Sequence, residues 1–279
     1  MGLLLLVSLV WAFSFGLIKD QLSGLDSTAV AFLRLAFALL VFLPFLRREN
    51  ITLTAKLQLA LIGALQFGAM YLCYQRSFAY LSAYEVAIYT IFTPIYLSLL
   101  DACWQRKFWL GGMIAALLAV LGAAIVKWQG MTGALGSGFL LVQISNLCFA
   151  AGQLAYKNLR GRLAVSGDTG LFGWLLLGAV LVTALVTVPV TDWGQFRPDW
   201  KQWLVIAYLG VLASGLCFFW WNLGATRVAT AVLAVFNNAK IPAAVLVSLL
   251  VFREQADVPR LLCGLAVMML AVWLANRKV

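Results

Sequence analysis

Histidine is missing from all 279 residues, and Asp and Glu together number only 10. The first absence removes imidazole acid–base catalysis and the commonest metal ligand in one step. The second leaves no clustered carboxylate pair for hydrolytic chemistry. Cysteine is sparse too. Cys73, Cys103, Cys148, Cys217 and Cys263 are scattered without C-x-x-C spacing and read as small buried apolar residues. No nucleotide-binding loop is present, so ATP does not drive this chain directly. These absences exclude most enzyme classes, and neither a cofactor nor a metal is expected. Charge of either sign is scarce: 11% of the residues, against about 25% in soluble domains.

What fills the chain is hydrophobic, 64% of it. Such a composition belongs in a lipid bilayer. The net charge of +10 does not point to nucleic acid, because the basic residues sit in short loops between apolar runs. The N-terminus is apolar from Gly2 onward, without a basic lead or a cleavage site, and reads as a retained span. Spans of about 20 residues are expected at 2–18, 28–46, 57–78, 83–101, 108–126, 136–157, 169–190, 202–224, 229–251 and 258–275. All must be helical, since the period-two alternation of a membrane barrel is missing. With the N-terminus inside, 11 Lys and Arg fall in inner loops and 7 at outer ends, a bias that puts both termini in the cytoplasm.

The chain repeats itself. Pro94 opens an apolar run that ends in Gln105-Arg106-Lys107, and Pro242 opens one that ends in Arg253-Glu254-Gln255. Leu9-Val10-Trp11-Ala12 with Lys19 is echoed by Leu147-Cys148-Phe149-Ala150 with Lys157. The expected fold is therefore all-α, ten transmembrane helices in two five-helix repeats, 1–130 and 131–279. Five is odd, so the repeats must be inverted, with a binding site near the midplane between them.

Ionisable groups at that depth cost on the order of 2.5–3.5 kcal/mol and normally face the protein interior. Lys240 lies roughly 16 Å into its span, near the midplane. It reads as the counter-charge of a substrate carboxylate, or structurally as half of a fixed pair with Glu85 or as a hydrogen-bond donor to a carbonyl. Glu85 is a candidate for a substrate amine or for a coupling proton, or a local partner of Arg76. Asn237 and Asn238 lie within a turn of Lys240 and suit a polyfunctional ligand. The repeat offset pairs Tyr89 with Asn237. Gln66, Met70 and Tyr74 share one helical face, as do Gln143, Asn146 and Gln153, either as ligand contacts or as glue between helices. Trp11, Phe15, Trp220 and Trp221 are candidates for an aromatic wall. Arg34 reads as structural, near the outer surface and able to snorkel.

With Trp11-Ala12-Phe13-Ser14-Phe15, Phe32-Leu33-Arg34-Leu35, the two Pro-led spans and the closing Glu254, the chain resembles the EamA-type members of the drug/metabolite transporter superfamily over its whole length. Arg106 departs from the pattern by standing where the first repeat often carries an acid. The resemblance implies an inner-membrane carrier, often an exporter, with a cavity between the repeats. The combined expectation is a secondary transporter exporting a small carboxylate-bearing metabolite, such as an amino acid or an amino-acid-based metal chelator, by alternating access. A proton is the cheapest coupling ion. The rival within transport is an exporter of amine drugs, in which Glu85 does the recognition. A membrane-embedded enzyme lacks a catalytic constellation, and a lipid-handling scaffold does not call for the midplane Lys240.

Overall fold

The computed structural model describes residues 2–47, 50–104, 106, 114, 117, 118, 121, 122, 125, 133–163, 167–227 and 230–276; of these, the side chains at 2–5, 133–135, 230–239, 272, 275 and 276 lie outside the description. Every regular element among the described residues is helical. Their order is α1 (Gly2–Gln21), α2 (Ser27–Phe42), a 3₁₀ turn (Leu43–Phe45), α3 (Leu53–Gly63), a π-turn segment (Ala64–Ala69), α4 (Met70–Ser77) and α5 (Ala83–Tyr89). A 3₁₀ turn (Thr90–Phe92) leads into α6 (Thr93–Trp104). The second half holds α7 (Gly133–Arg160), α8 (Thr169–Val190), α9 (Trp200–Tyr208), a second π segment (Leu209–Leu216), α10 (Cys217–Arg227), α11 (Thr230–Leu250) and α12 (Val258–Asn276).

Six continuous stretches among the described residues are long and apolar enough to cross a bilayer: Ser27–Phe45, Leu53–Ser77, Ala83–Trp104, Gly136–Arg160, Thr169–Val190 and Trp200–Arg227. Lys240–Leu250 and Val258–Ala271 are shorter apolar helices. The expected span at 108–126 lies outside the described residues except at isolated positions.

Capping side chains set the boundaries. Asp26 accepts from the Thr28 and Ala29 N–H groups at the start of α2. Burial pushes its carboxyl up, but bonds from Thr28, Ala29 and Thr191 outweigh that and hold it below the ordinary carboxylate range. Thr52 takes the Ala55 N–H, so α3 begins at Leu53 rather than at 57. The Asp199–Gln202 capping box starts α9 at Trp200 rather than at 202.

The molecule is polar inside and apolar outside. Gln66 and Asn222 are fully buried at 0% and 1% exposure, while Leu61 and Leu185 are 71% and 74% exposed. That is the arrangement lipid demands, where apolar surface costs nothing and unpaired polar groups cost much. Between α3 and α8 the backbones nearly touch. A Cβ on Gly63 would sit 1.8 Å from the Leu175 carbonyl, and one on Gly178 would sit 1.8 Å from that of Ala60. Only glycine permits this reciprocal approach.

Several helix ends meet on one face. Lys19 Nζ donates to the Phe78 carbonyl at 2.8 Å, and Gln202 Nε2 to that of Gln21 at 3.2 Å. The Glu254 carboxylate accepts from the Ala83 and Tyr84 N–H groups and from the Ser248 hydroxyl, tying the end of α11 to the start of α5.

Candidate substrate cavity

A cavity enclosing about 570 Å³ of empty space, its mouth included, lies at the centre of the bundle. Trp11, Ser14 and Phe15 of α1 line it with Arg34 of α2 and Met70, Tyr71 and Tyr74 of α4. The far wall is Thr90 and Thr93, Ser145, Asn146 and Phe149 of α7, Phe218 of α10 and Lys240 of α11. Two of these residues are cations, and the described lining contains no carboxylate.

Trp11 organises one side. Its indole N–H donates to the Ala213 carbonyl at 3.0 Å, and its ring packs on Phe218 and Trp221 at 4.8 and 5.1 Å. Lys240 Nζ lies over the Trp11 ring, 5.0 Å from its centre, with the side chain only 7% exposed. The π segment that presents Ala213 and Ser214 is the kind of irregularity that collects at functional sites.

Arg34 forms the second charged node. Its Nη1 donates to Gln75 Oε1 at 2.9 Å, and its Nη2 to the Tyr71 hydroxyl at 3.1 Å and Ser214 Oγ at 3.3 Å. Its guanidinium also lies over the Tyr71 ring at 4.7 Å. All three hydrogen-bonding partners are neutral, and Nε is buried with no partner among the described residues. The expected snorkelling does not occur: the side chain is 2% exposed, because Gln75, Tyr71 and Ser214 supply inside the bundle the acceptors it would otherwise seek in water.

Asn146 joins the break in the α5–α6 stretch to α7. Its Nδ2 donates to the Tyr89 carbonyl at 2.8 Å, and its Oδ1 accepts from Thr93 Oγ1 at 3.1 Å. Pro94 explains the opening it fills. Proline has no N–H, and its ring collides with the carbonyl four residues back, so the helix tightens to 3₁₀ over Thr90–Phe92 and turns both threonines to the cavity.

Of the residues read from the sequence as candidates, Lys240, Trp11, Tyr74 and Asn146 line this one cavity. Gln66 lies behind it, donating to Asn222 at 2.9 Å. The Tyr89 side chain packs on Phe139 at 5.1 Å, and only its carbonyl serves the site, through Asn146. Glu85 forms the capping box at the start of α5, its Oε2 taking the Ser82 N–H at 2.9 Å, and is not in the lining. The Asn237 and Asn238 side chains lie outside the described residues. Phe15 lines the cavity as an aromatic wall, and Trp221 backs Trp11. Sequence reasoning misses Arg34, Thr93, Phe149 and Phe218 as lining residues. Phe149 is recoverable, since the repeat pairs it with Trp11.

The profile of the EamA-like transporter family matches residues 1–128 and 136–277. The chain belongs to the EamA-like transporter family. It is a multi-pass membrane transporter with a small-molecule substrate, not an enzyme. Its relatives include the probable biotin transporter of Pseudomonas aeruginosa, 41% identical over 98% of this chain and 96% of that one. The biotin transporters of Salmonella typhimurium and Escherichia coli K12 are 37% and 36% identical, each over 100% of this chain and 94% of theirs. None of these three is named for an amino acid or a chelator. A crystal structure at 15% identity superposes with a TM-score of 0.70 over 98% of both chains, a likeness of fold alone.

Proposed function

We propose that this chain carries biotin, or a monocarboxylate built like it, across the inner membrane through the central cavity. The observation that supports this most is the lining: two cationic side chains, aromatic walls and no carboxylate among the described lining residues. Arg34 spends its hydrogen bonds on neutral partners, so its charge is left to attract an anion. Biotin combines one carboxylate on an apolar chain with a bicyclic ureido ring. The carboxylate suits Arg34 and Lys240, the rings suit Trp11, Tyr74, Phe149 and Phe218, and the ureido group suits the Thr90 and Thr93 hydroxyls. The names of three relatives agree. An amino acid or an amino-acid chelator would add an ammonium beside two cations with no carboxylate in the described lining to receive it. An amine drug meets the same objection, and Glu85 serves better as a helix cap than as a coupling group.

The route is alternating access between two inverted five-helix repeats, 1–130 and 131–279, with ten spans and both termini cytoplasmic. The two segments matched by the family profile support that division. So does direction: α1 ends where Lys19 meets Phe78, whereas α7 has its beginning, at Gly138, against Tyr80 and Leu81. The 148-residue offset from Pro94 to Pro242 carries the π segment at Ala64–Ala69 to 212–217, overlapping that at Leu209–Leu216.

The test is flux of labelled biotin in proteoliposomes, in both directions, with and without an imposed pH gradient, beside Lys240→Met. Losing a charged partner is worth about 1.5–3 kcal/mol, so the variant should lose roughly tenfold to a hundredfold in flux at low biotin while remaining folded. Biotin flux unchanged in the variant, or amine flux with no biotin flux, overturns the reading.

A further inference from the structure

A second cavity, of about 780 Å³ with its mouth included, opens on the face where Lys19 meets Phe78. It is stacked on the first along the same three helices. On α1 the lining passes from Phe15 in the central cavity to Ile18 in the outer one, and on α2 from Arg34 to Val30. On α4 it passes from Tyr74 to Phe78. Each step is about one helical turn, roughly 5 Å. Two contacts fill that turn. Arg34, which lines the inner cavity, donates to Gln75, which lines the outer one, at 2.9 Å. Tyr74 and Phe78 meet edge-on at 5.1 Å in the same relation.

We propose that the Arg34–Gln75 and Tyr74–Phe78 layer is the gate between the central cavity and the outer vestibule, and that the substrate carboxylate opens it by drawing Arg34 away from Gln75. The second half rests on the carboxylate reading above; the first does not. An amide oxygen holds a guanidinium less strongly than a carboxylate does, since a carboxylate adds a full opposite charge and two oxygens that match the guanidinium fork. An anion arriving from either side competes directly with Gln75 for Arg34. An amine offers no such acceptor, so the gate selects for anions as well as retaining them. Arg34, Gln75 and Phe78 are 2%, 4% and 6% exposed and Tyr74 is half-buried, so these side chains are packed between the two cavities. Gln75 is thus a positioning residue, acting through Arg34.

Accessibility tests the layer without any substrate. A Ser14→Cys probe in a background lacking the five native cysteines reports on the inner cavity when a membrane-impermeant thiol reagent is applied from the vestibule face. Gln75→Ala should speed labelling about tenfold or more, the scale expected when a bond to a charged group is lost, and Phe78→Ala, which removes the ring that Tyr74 meets, should independently speed it as well. Gln75→Glu should hold labelling at or below the parent rate, and biotin, which speeds labelling of the parent, should no longer do so. If neither Ala variant changes the rate, the gate lies elsewhere, whatever the substrate. If both do but biotin leaves the parent rate unchanged, the layer stands as a partition and the carboxylate trigger falls. Absence of biotin flux alongside an intact Gln75→Ala effect would sink the substrate reading and spare the gate.

Discussion

Pro94 and Pro242 open matching runs of the two halves, yet the chain treats them differently. Before Pro94 the helix breaks into a 3₁₀ turn at Thr90–Phe92, whereas α11 runs unbroken from Thr230 to Leu250 through Pro242. The repeat offset sets Phe92 against Lys240. Phe92 is buried among aromatics, stacking on Tyr96 and meeting Phe139 edge-on, while Lys240 faces the cavity over Trp11. One half therefore contributes a broken backbone with hydroxyls, and the other a charge on an intact helix. A proline permits a break; what receives the freed backbone decides whether one forms. At Pro94 the receiver is Asn146, which takes the Tyr89 carbonyl and, on its other atom, the Thr93 hydroxyl.

The sharpest way to break that contrast is to remove the receiver. Asn146→Leu keeps the volume roughly but leaves the Tyr89 carbonyl and the Thr93 hydroxyl without their partner. In water a buried orphan costs about 1–3 kcal/mol. In a bilayer single contacts average only about 0.6 kcal/mol, because the unfolded chain finds other partners. Asn146 makes two such contacts and a third to Gln143 at 3.3 Å, so a loss of about 1–2 kcal/mol is expected. Thermal unfolding in detergent would register it as a clear drop in Tm. An unchanged Tm would mean that the break holds without Asn146.

A paired substitution asks about the prolines themselves. Pro94→Ala restores an N–H that can reach the Thr90 carbonyl, which Thr93 N–H now occupies. The helix should close over the 3₁₀ turn and swing Thr90 and Thr93 off the cavity. Biotin flux should fall about tenfold, or about 1.4 kcal/mol in transition-state terms. Pro242→Ala, in a helix already continuous, should change flux less than about threefold. Equal losses from the two would make the break incidental to transport.

Much of this fold is legible in the order of residues alone. Apolar runs locate the helices because lipid imposes one rule on every span, and local capping explains why the helices begin two to four residues earlier at Leu53 and Trp200. Lys240, Trp11, Tyr74 and Asn146 are reachable because depth and helical face are local properties of a sequence. Partnership is not local. Arg34 counts as shallow by its place in α2, and only Gln75 and Ser214, 41 and 180 residues away, draw it into the core. Gln66 reads rightly as polar and buried, but nothing along the chain says that its acceptor is Asn222. Glu85 reads as an intramembrane acid, and the Ser82 N–H shows it spent on the first turn of its own helix.

The finest probe of the contrast is Thr93→Val, which keeps shape and deletes one hydroxyl. Asn146 Oδ1 loses that donor but keeps both bonds from its amide nitrogen, so stability should fall by only about 0.6 kcal/mol. The cavity loses a group proposed to meet the ureido ring, whereas the charges that hold the carboxylate are untouched. Flux should therefore drop a few-fold for biotin while a simple monocarboxylate lacking a ureido group competes as well as before. If competition by that simple acid weakens equally, Thr93 supports the cavity as a whole, and the hydroxyls at the Pro94 break confer no recognition of their own.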